Sequence, residues 1–238
     1  MSTQARKNVA VMISGRGSNM AALIDAAAER DFPAEIVAVI SDRADAPGLV
    51  LAGSRGIPTH VIGRGDFADK EGHERAIDAL LGRLGAEIVC LAGYMRLLTR
   101  GFTDTWQGRL INIHPSLLPL FKGLHTHRRA LEAGVRVHGC TAHFVTSGID
   151  EGPIITQAAV PVLPSDTEES LARRVLAAEH GIYPLALKLL AEGHVRMEGA
   201  GVTFSQEAQT VWQPAASLVS PPNAPGPRNL EDLARFTP

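Results

Sequence analysis

Residues 8–27 read NVAVMISGRGSNMAALIDAA, and their order decides the fold. Residues 8–14 form a nearly continuous apolar run of strand length, ended by glycines, which is the pattern of a strand covered on both faces. Met20, Leu23, Ile24 and Ala27 then recur at helical spacing, and Glu29, Arg30 and Asp31 close that helix before Pro33. A buried strand that turns through glycines into an amphipathic helix is the opening unit of a parallel α/β sheet. The unit then repeats. Residues 35–40 (EIVAVI), 59–62, 88–92 and 110–113 predict further strands, and 48–55 and 67–84 predict helices. The second of these helices carries Ile77, Leu80, Leu81 and Leu84 on one face, with Gly85 placed to end it. The expected fold is therefore α/β, a doubly wound, mostly parallel sheet with helices on both faces.

Beyond it, residues 137–145 and 154–162 are two β-type runs separated by the loop TSGIDEGP, and a long helix is expected from Thr167 to about Glu192. Residues 195–204 suit a small hairpin around Gly199 and Gly201. From Ser205 onward the composition changes, since six of the 15 prolines fall there, and prolines can sustain neither helix nor ladder hydrogen bonding. Residues 205–238 are expected to be an extended or disordered tail.

Composition narrows the function classes. Among 238 residues, 23 Lys and Arg stand against 25 Asp and Glu, a formal charge of −2, so no strong positive field exists to recruit nucleic acid or anionic lipid. With 45% hydrophobic residues the chain can bury a core, and with 5% aromatics that core is aliphatic. Two cysteines, Cys90 and Cys140, sit in apolar runs and build neither a disulfide framework nor a zinc site. The first residues, MSTQARKNVAVMISG, hold an apolar run too short for a secretory signal or a bilayer span, which reads as a cytoplasmic protein.

Three places can carry chemistry. The first is residues 15–19 (GRGSN), where glycines allow close backbone approach, the helix start offers unpaired N–H groups, and Ser18 and Asn19 add side-chain donors, a set that suits phosphate. A dinucleotide fingerprint would need a further glycine where Met20 stands, and a plain strand-to-helix turn fits the same residues. The second is Asn112 and His114, which strand alternation puts on one face at a carboxyl strand end, where open parallel sheets form their ligand crevice. Local capping would also account for that pair, but the apolar loop SLLPLFKGLHTH that follows must cover something. The third is Asp150, flanked by Gly148 and Gly152, whose bend can swing one carboxylate toward His114 to move a proton, where a solvated turn aspartate is the plainer alternative. Of the histidines at 125, 127, 138, 143 and 180, only His125 and His127 are close in sequence, and no carboxylate or thiol completes a metal set beside them.

Four stretches together carry a family resemblance: VMISGRGSN, LAGYMRLLT, INIHPSLLPLFKGLHTHRRALEAGVRVHGCTAHFVTSGIDEGPIITQ and AAEHGIYPLALKLL. In register from about Asn8 to Met197, the chain resembles the phosphoribosylglycinamide formyltransferases, purine-synthesis enzymes that use 10-formyltetrahydrofolate. The resemblance implies a single catalytic domain over residues 1–204, with ribonucleotide bound by the N-terminal half and folate by the C-terminal half. It implies Asn112, His114 and Asp150 as the catalytic trio, and Gly17, Ser18 and Asn19 as binders of the ribonucleotide phosphate. Glu179 resembles the acid that contacts the glycinamide amine. Met95, Arg96, Leu97 and Leu98 match the folate and formyl segment together with Asn112, and Lys70 stands where the family often has Arg. The partners implied are two small molecules, glycinamide ribonucleotide and formyl-folate, with no metal, nucleic acid or membrane, in a monomer or a homodimer.

Chemically, the glycinamide amine attacks the formyl carbon, Asn112 and a charged His114 donate to the oxygen as it becomes anionic, and Asp150 assists the proton on its way to the leaving nitrogen. A formyltetrahydrofolate hydrolase, which lets water take the formyl group, is the nearest alternative, but it calls for an additional N-terminal domain for which residues 1–7 leave no room. A methionyl-tRNA formyltransferase calls for an RNA-binding domain and a basic surface. A non-catalytic nucleotide sensor would use residues 15–19 alone and leave the trio unexplained.

Overall fold

The computed structural model describes residues 5–210. The chain runs β1 (Lys7–Ile13), α1 (Ser18–Ala27), β2 (Ala34–Ser41), α2 (Pro47–Ser54), β3 (Thr59–Val61), α3 (Lys70–Arg83), β4 (Ile88–Leu91), α4 (Arg100–Thr105) and β5 (Leu110–His114). It continues through α5 (Thr126–Glu132), β6 (Val137–Phe144), β7 (Ile154–Pro161), α6 (Glu168–Ala191), β8 (Val195–Glu198), β9 (Gly201–Phe204) and α7 (Gln206–Thr210). Seven strands form one sheet in the order β3-β2-β1-β4-β5-β6-β7, and β8 pairs with β9 in a separate hairpin. The strands from β3 across to β5 are parallel, whereas β6 and β7 run antiparallel to their neighbours. This is the doubly wound, mostly parallel α/β sheet that the sequence predicts.

Alternation along β1 divides the core in two. Val9, Val11 and Ile13 face Met20, Leu23 and Tyr183 on the side of α1 and α6. Ala10 and Met12 face Ile77, Leu81 and Trp106 on the side of α3. Because strand order reverses beside β1, the loops after β1 and β4 diverge and open a crevice at the carboxyl strand ends.

Several expectations shift. Helix α3 begins at Lys70 rather than Phe67, because the Asp69 side chain caps the Gly72 N–H and so sets the first turn. Two short helices, α4 and α5, lie where no helix is expected, having six and seven residues and therefore too few turns to show a repeating apolar stripe. The expected tail from Ser205 starts instead as α7, whose Ala208 N–H is capped by the Ser205 hydroxyl at 3.2 Å. The rest of that expected tail, residues 211–238, lies outside the described residues. Among the described residues no helix is long and apolar enough to cross a membrane.

Helix α6 starts in a capping box between Thr167 and Ser170 and lays Tyr183, fully buried, against the sheet. The Tyr183 hydroxyl donates to the Leu91 carbonyl at 2.9 Å and lies 3.2 Å from the Ile111 carbonyl, bridging β4 and β5. Tyr183→Phe is expected to lower unfolding stability by about 1–2 kcal/mol, since it strands buried carbonyls. Urea unfolding checks this, and an unchanged midpoint would show that the hydroxyl does not hold the two strands.

Candidate active site

Alternation in β5 sends Asn112 and His114 to the same side, and antiparallel pairing sets them opposite His143 and Thr141 of β6. The loop between β6 and β7 then returns over them, with Asp150 at φ 50°. Gly152 makes this return possible, since a Cβ there would lie 1.7 Å from the Phe144 carbonyl oxygen. The Asp150 Oδ2 consequently sits 3.3 Å from His114 Nδ1, with both side chains largely buried. The same oxygen accepts the Gly123 N–H at 2.8 Å, and His114 Nε2 faces the Phe121 carbonyl at 3.1 Å. Both imidazole nitrogens therefore face acceptors.

Asn112 is tied to a residue that the sequence reading considered only as a metal ligand. His143 Nδ1 lies 2.8 Å from the Phe144 carbonyl, so Nδ1 carries the proton and Nε2 accepts from Asn112 Nδ2 at 3.3 Å. Burial pushes the His143 pKa down, in keeping with this neutral form. The carboxamide is thus oriented, and its second N–H remains for the crevice. The signal for this contact lay in β6, where His143 follows the alternation set by its neighbours, but only strand register pairs it with Asn112.

On the opposite side of the crevice, Gly17 adopts φ 75° and ψ 28° ahead of α1, whose first residue is Ser18. Gly48 of α2 packs so closely on this turn that a Cβ would lie 3.3 Å from the Gly17 Cα, and its N–H donates to the Gly15 carbonyl at 3.0 Å. Asn19 and Glu179, far apart in sequence, meet here: Asn19 Nδ2 donates to Glu179 Oε2 at 2.6 Å. Asn19 Oδ1 is buried without a hydrogen-bond partner among the described residues. Burial raises the Glu179 pKa, against the opposing pull of the Asn19 hydrogen bond.

Met95, Arg96, Leu97 and Leu98 form the loop after β4. Arg96 Nε donates to Asp42 Oδ2 at 2.6 Å, where the Asp42 side chain is 1% exposed and the Arg96 side chain 49%. This pair anchors the loop to Asp42, the residue after β2. Met95 and Leu97 stay 68% and 63% exposed at the rim, an arrangement suited to covering an apolar ligand. Three clefts open around this loop, one of them, of about 330 Å³, between it and Arg64, Lys70, His73 and Glu74, and the other two beside the trio. One, of about 370 Å³, is lined by Lys70, Arg96, Leu98, Asn112, His143 and Asp150 among others. The second, of about 580 Å³, includes Met95, His114, Gly123, Leu124, His125 and Glu168. They share Tyr94, Arg96, Leu97, Asn112, Ile149 and Asp150. The structure thus brings Lys70, the residues 95–98 and the trio around adjoining clefts, while residues 17–19 and Glu179 line none of the three.

Burial pushes the Cys90 and Cys140 thiols up to about 12, so neither is a ready nucleophile at neutral pH.

The chain matches the formyl transferase family over residues 7–187 and belongs to that family. It is 45% identical over 190 residues to the phosphoribosylglycinamide formyltransferase of Escherichia coli K12, covering 80% of this chain and 90% of that protein. It is also 52% identical over 198 residues to the trifunctional purine biosynthetic protein adenosine-3 of Drosophila pseudoobscura, covering 82% of this chain but only 14% of that much longer protein. The crystal structure of phosphoribosylglycinamide formyltransferase from Brucella melitensis is similar with a TM-score of 0.76 at 61% identity, over 78% of this chain and 96% of that one.

Besides His143, burial pushes down His127, against the opposing pull of Glu168, and takes His138 to about 4, where repulsion from His127 adds to the shift. These rings bind protons more readily in the unfolded chain, so the stability present above pH 6.5 is lost as pH falls toward 4. Thermal midpoints are expected to drop over that interval, and the His138→Gln variant, whatever its midpoint at neutral pH, should drop less. Parallel pH profiles for the two proteins would remove His138 as a source of the loss.

Proposed function

We propose that this protein, acting through one catalytic domain, transfers the formyl group of 10-formyltetrahydrofolate to the amine of glycinamide ribonucleotide, as a phosphoribosylglycinamide formyltransferase of purine synthesis. The observation that carries this reading is the junction of two clefts along Asn112 and Asp150, one step from His114. Direct transfer between two bound molecules needs one set of hydrogen-bonding groups reachable from two sides. The names of the relatives point to the same reaction.

On this reading the cleft of Lys70, Arg96, Leu97 and Leu98 takes the folate, with the exposed Met95 side chain at its rim. The turn at Gly17, Ser18 and Asn19 takes the ribonucleotide phosphate through helix N–H groups, and Glu179 takes the glycinamide amine. The free N–H of Asn112 and the imidazole of His114 donate to the formyl oxygen as the attacking amine makes it anionic. Asp150 balances the charge on His114 and accepts the proton that leaves the amine, from where it passes to the departing folate nitrogen. Neither a covalent intermediate nor a metal enters this scheme.

Release of tetrahydrofolate from 10-formyltetrahydrofolate, followed with and without glycinamide ribonucleotide, tests the reading. Release that requires the ribonucleotide is expected, and release in its absence would make the protein a hydrolase. His114→Ala should lower kcat on the order of a hundredfold or more while leaving KM for either substrate close to wild type. A raised KM at unchanged kcat would move His114 from catalysis to binding. Asp150→Asn should follow the same pattern, and near-normal kcat would take Asp150 out of the proton path.

A further inference from the structure

Residues 121–124 touch both members of the His114–Asp150 pair, and they do so with main-chain atoms alone. The Phe121 carbonyl faces His114 Nε2, and the Gly123 N–H donates to Asp150 Oδ2. The path of this backbone therefore sets where the imidazole and the carboxylate stand. That path is strained: Phe121, Gly123 and His125 take φ values of 53°, 77° and 58°, and two of the three carry side chains that disfavour the left-handed region. Such a path persists only when its surroundings impose it.

Arg129, in α5, reaches back over this arch. Its Nη1 lies 2.6 Å from the Lys122 carbonyl and 3.4 Å from the Leu124 carbonyl, so one guanidinium nitrogen spans the peptides on either side of Gly123. Its guanidinium carbon stands 5.6 Å from the centre of the Phe121 ring. The Lys122 ammonium pairs in turn with Glu151 at 2.9 Å, joining the arch to the residue after Asp150. Arg129 itself is exposed and lines none of the three clefts.

We propose that Arg129 is a positioning residue for formyl transfer, holding the arch of residues 121–124 so that its carbonyl and N–H keep His114 and Asp150 in reacting geometry. The proposal rests on the formyl-transfer reading given above. A guanidinium is suited to this task because Nη1 carries two N–H groups for the two carbonyls while its flat, delocalised plane can lie against the Phe121 ring.

The test compares kcat and both KM values for the wild type, Arg129→Gln, Arg129→Lys and Arg128→Gln, with thermal midpoints for each. Arg129→Gln should lower kcat on the order of tenfold with both KM values little changed, because small displacements at a reacting centre cost rate rather than binding. Arg129→Lys should recover part of the loss. Arg128, whose nearest acid is Glu132 at 4.0 Å, serves as the control, and its Gln variant should keep kcat. Unchanged kcat in Arg129→Gln, a change confined to KM, or an equal loss in Arg128→Gln would overturn the proposal. If Arg129→Gln does not fold, a wild-type kcat in Arg129→Lys overturns it equally. An inactive wild type would instead defeat the formyl-transfer reading, and the arch is then judged by nuclear magnetic resonance. The His114 Nε2 proton should be protected from exchange in the wild type and lose that protection in Arg129→Gln, and equal protection in both would count against Arg129.

Discussion

Five parallel strands cannot be joined by hairpins, so every connection between them must cross a face of the sheet, and the two directions of crossing part company beside β1. The crevice left at that parting is the one place where carboxyl strand ends from β1, β4 and β5 open together. The remaining features of the site are ways of furnishing it. Glycines at 17 and 48 bring α1 and α2 close enough for the turn after β1 to present N–H groups, while the Asp42–Arg96 pair ties down the loop after β4.

The antiparallel end of the sheet has a separate purpose. Because β6 runs against β5, it sets His143 directly opposite Asn112, and its return through the loop to β7 delivers Asp150 above His114. A parallel crossover at this point would have carried the chain away from the crevice over a helix. The change of strand direction thus brings the carboxylate of Asp150, from the loop between β6 and β7, to the imidazole and the carboxamide that β5 presents. Main-chain groups add to the set, since the Phe121 carbonyl faces His114 Nε2 and the Gly123 N–H donates to Asp150 Oδ2.

Burial favours the neutral form of two of these groups, lowering one pKa and raising the other. It keeps His143 neutral, which lets its Nε2 accept from Asn112 and so orients the carboxamide, and it favours the neutral form of Glu179 beside Asn19. His114 is met instead by an acidic partner and a carbonyl at its two nitrogens. Neighbouring imidazoles within one small region therefore serve different purposes, decided by what each nitrogen faces rather than by residue type.

By itself the sequence determined the sheet, its helices and the candidate trio, because apolar periodicity over strand-length and helix-length windows is a local property, and because Asn112 and His114 share a face through a two-residue repeat. Short elements escaped that reading: α4 and α5 make too few turns to repeat, and α7 is set by one capping hydroxyl. Only the tertiary structure decided that Asn19 meets Glu179, that His143 orients Asn112, that Asp42 anchors Arg96, and that Arg129 spans the arch over Gly123. Each of these contacts depends on strand register, on the packing of α6, or on the course of a strained loop. Such contacts leave no periodic trace, since the residues that make them are brought together by the burial of others.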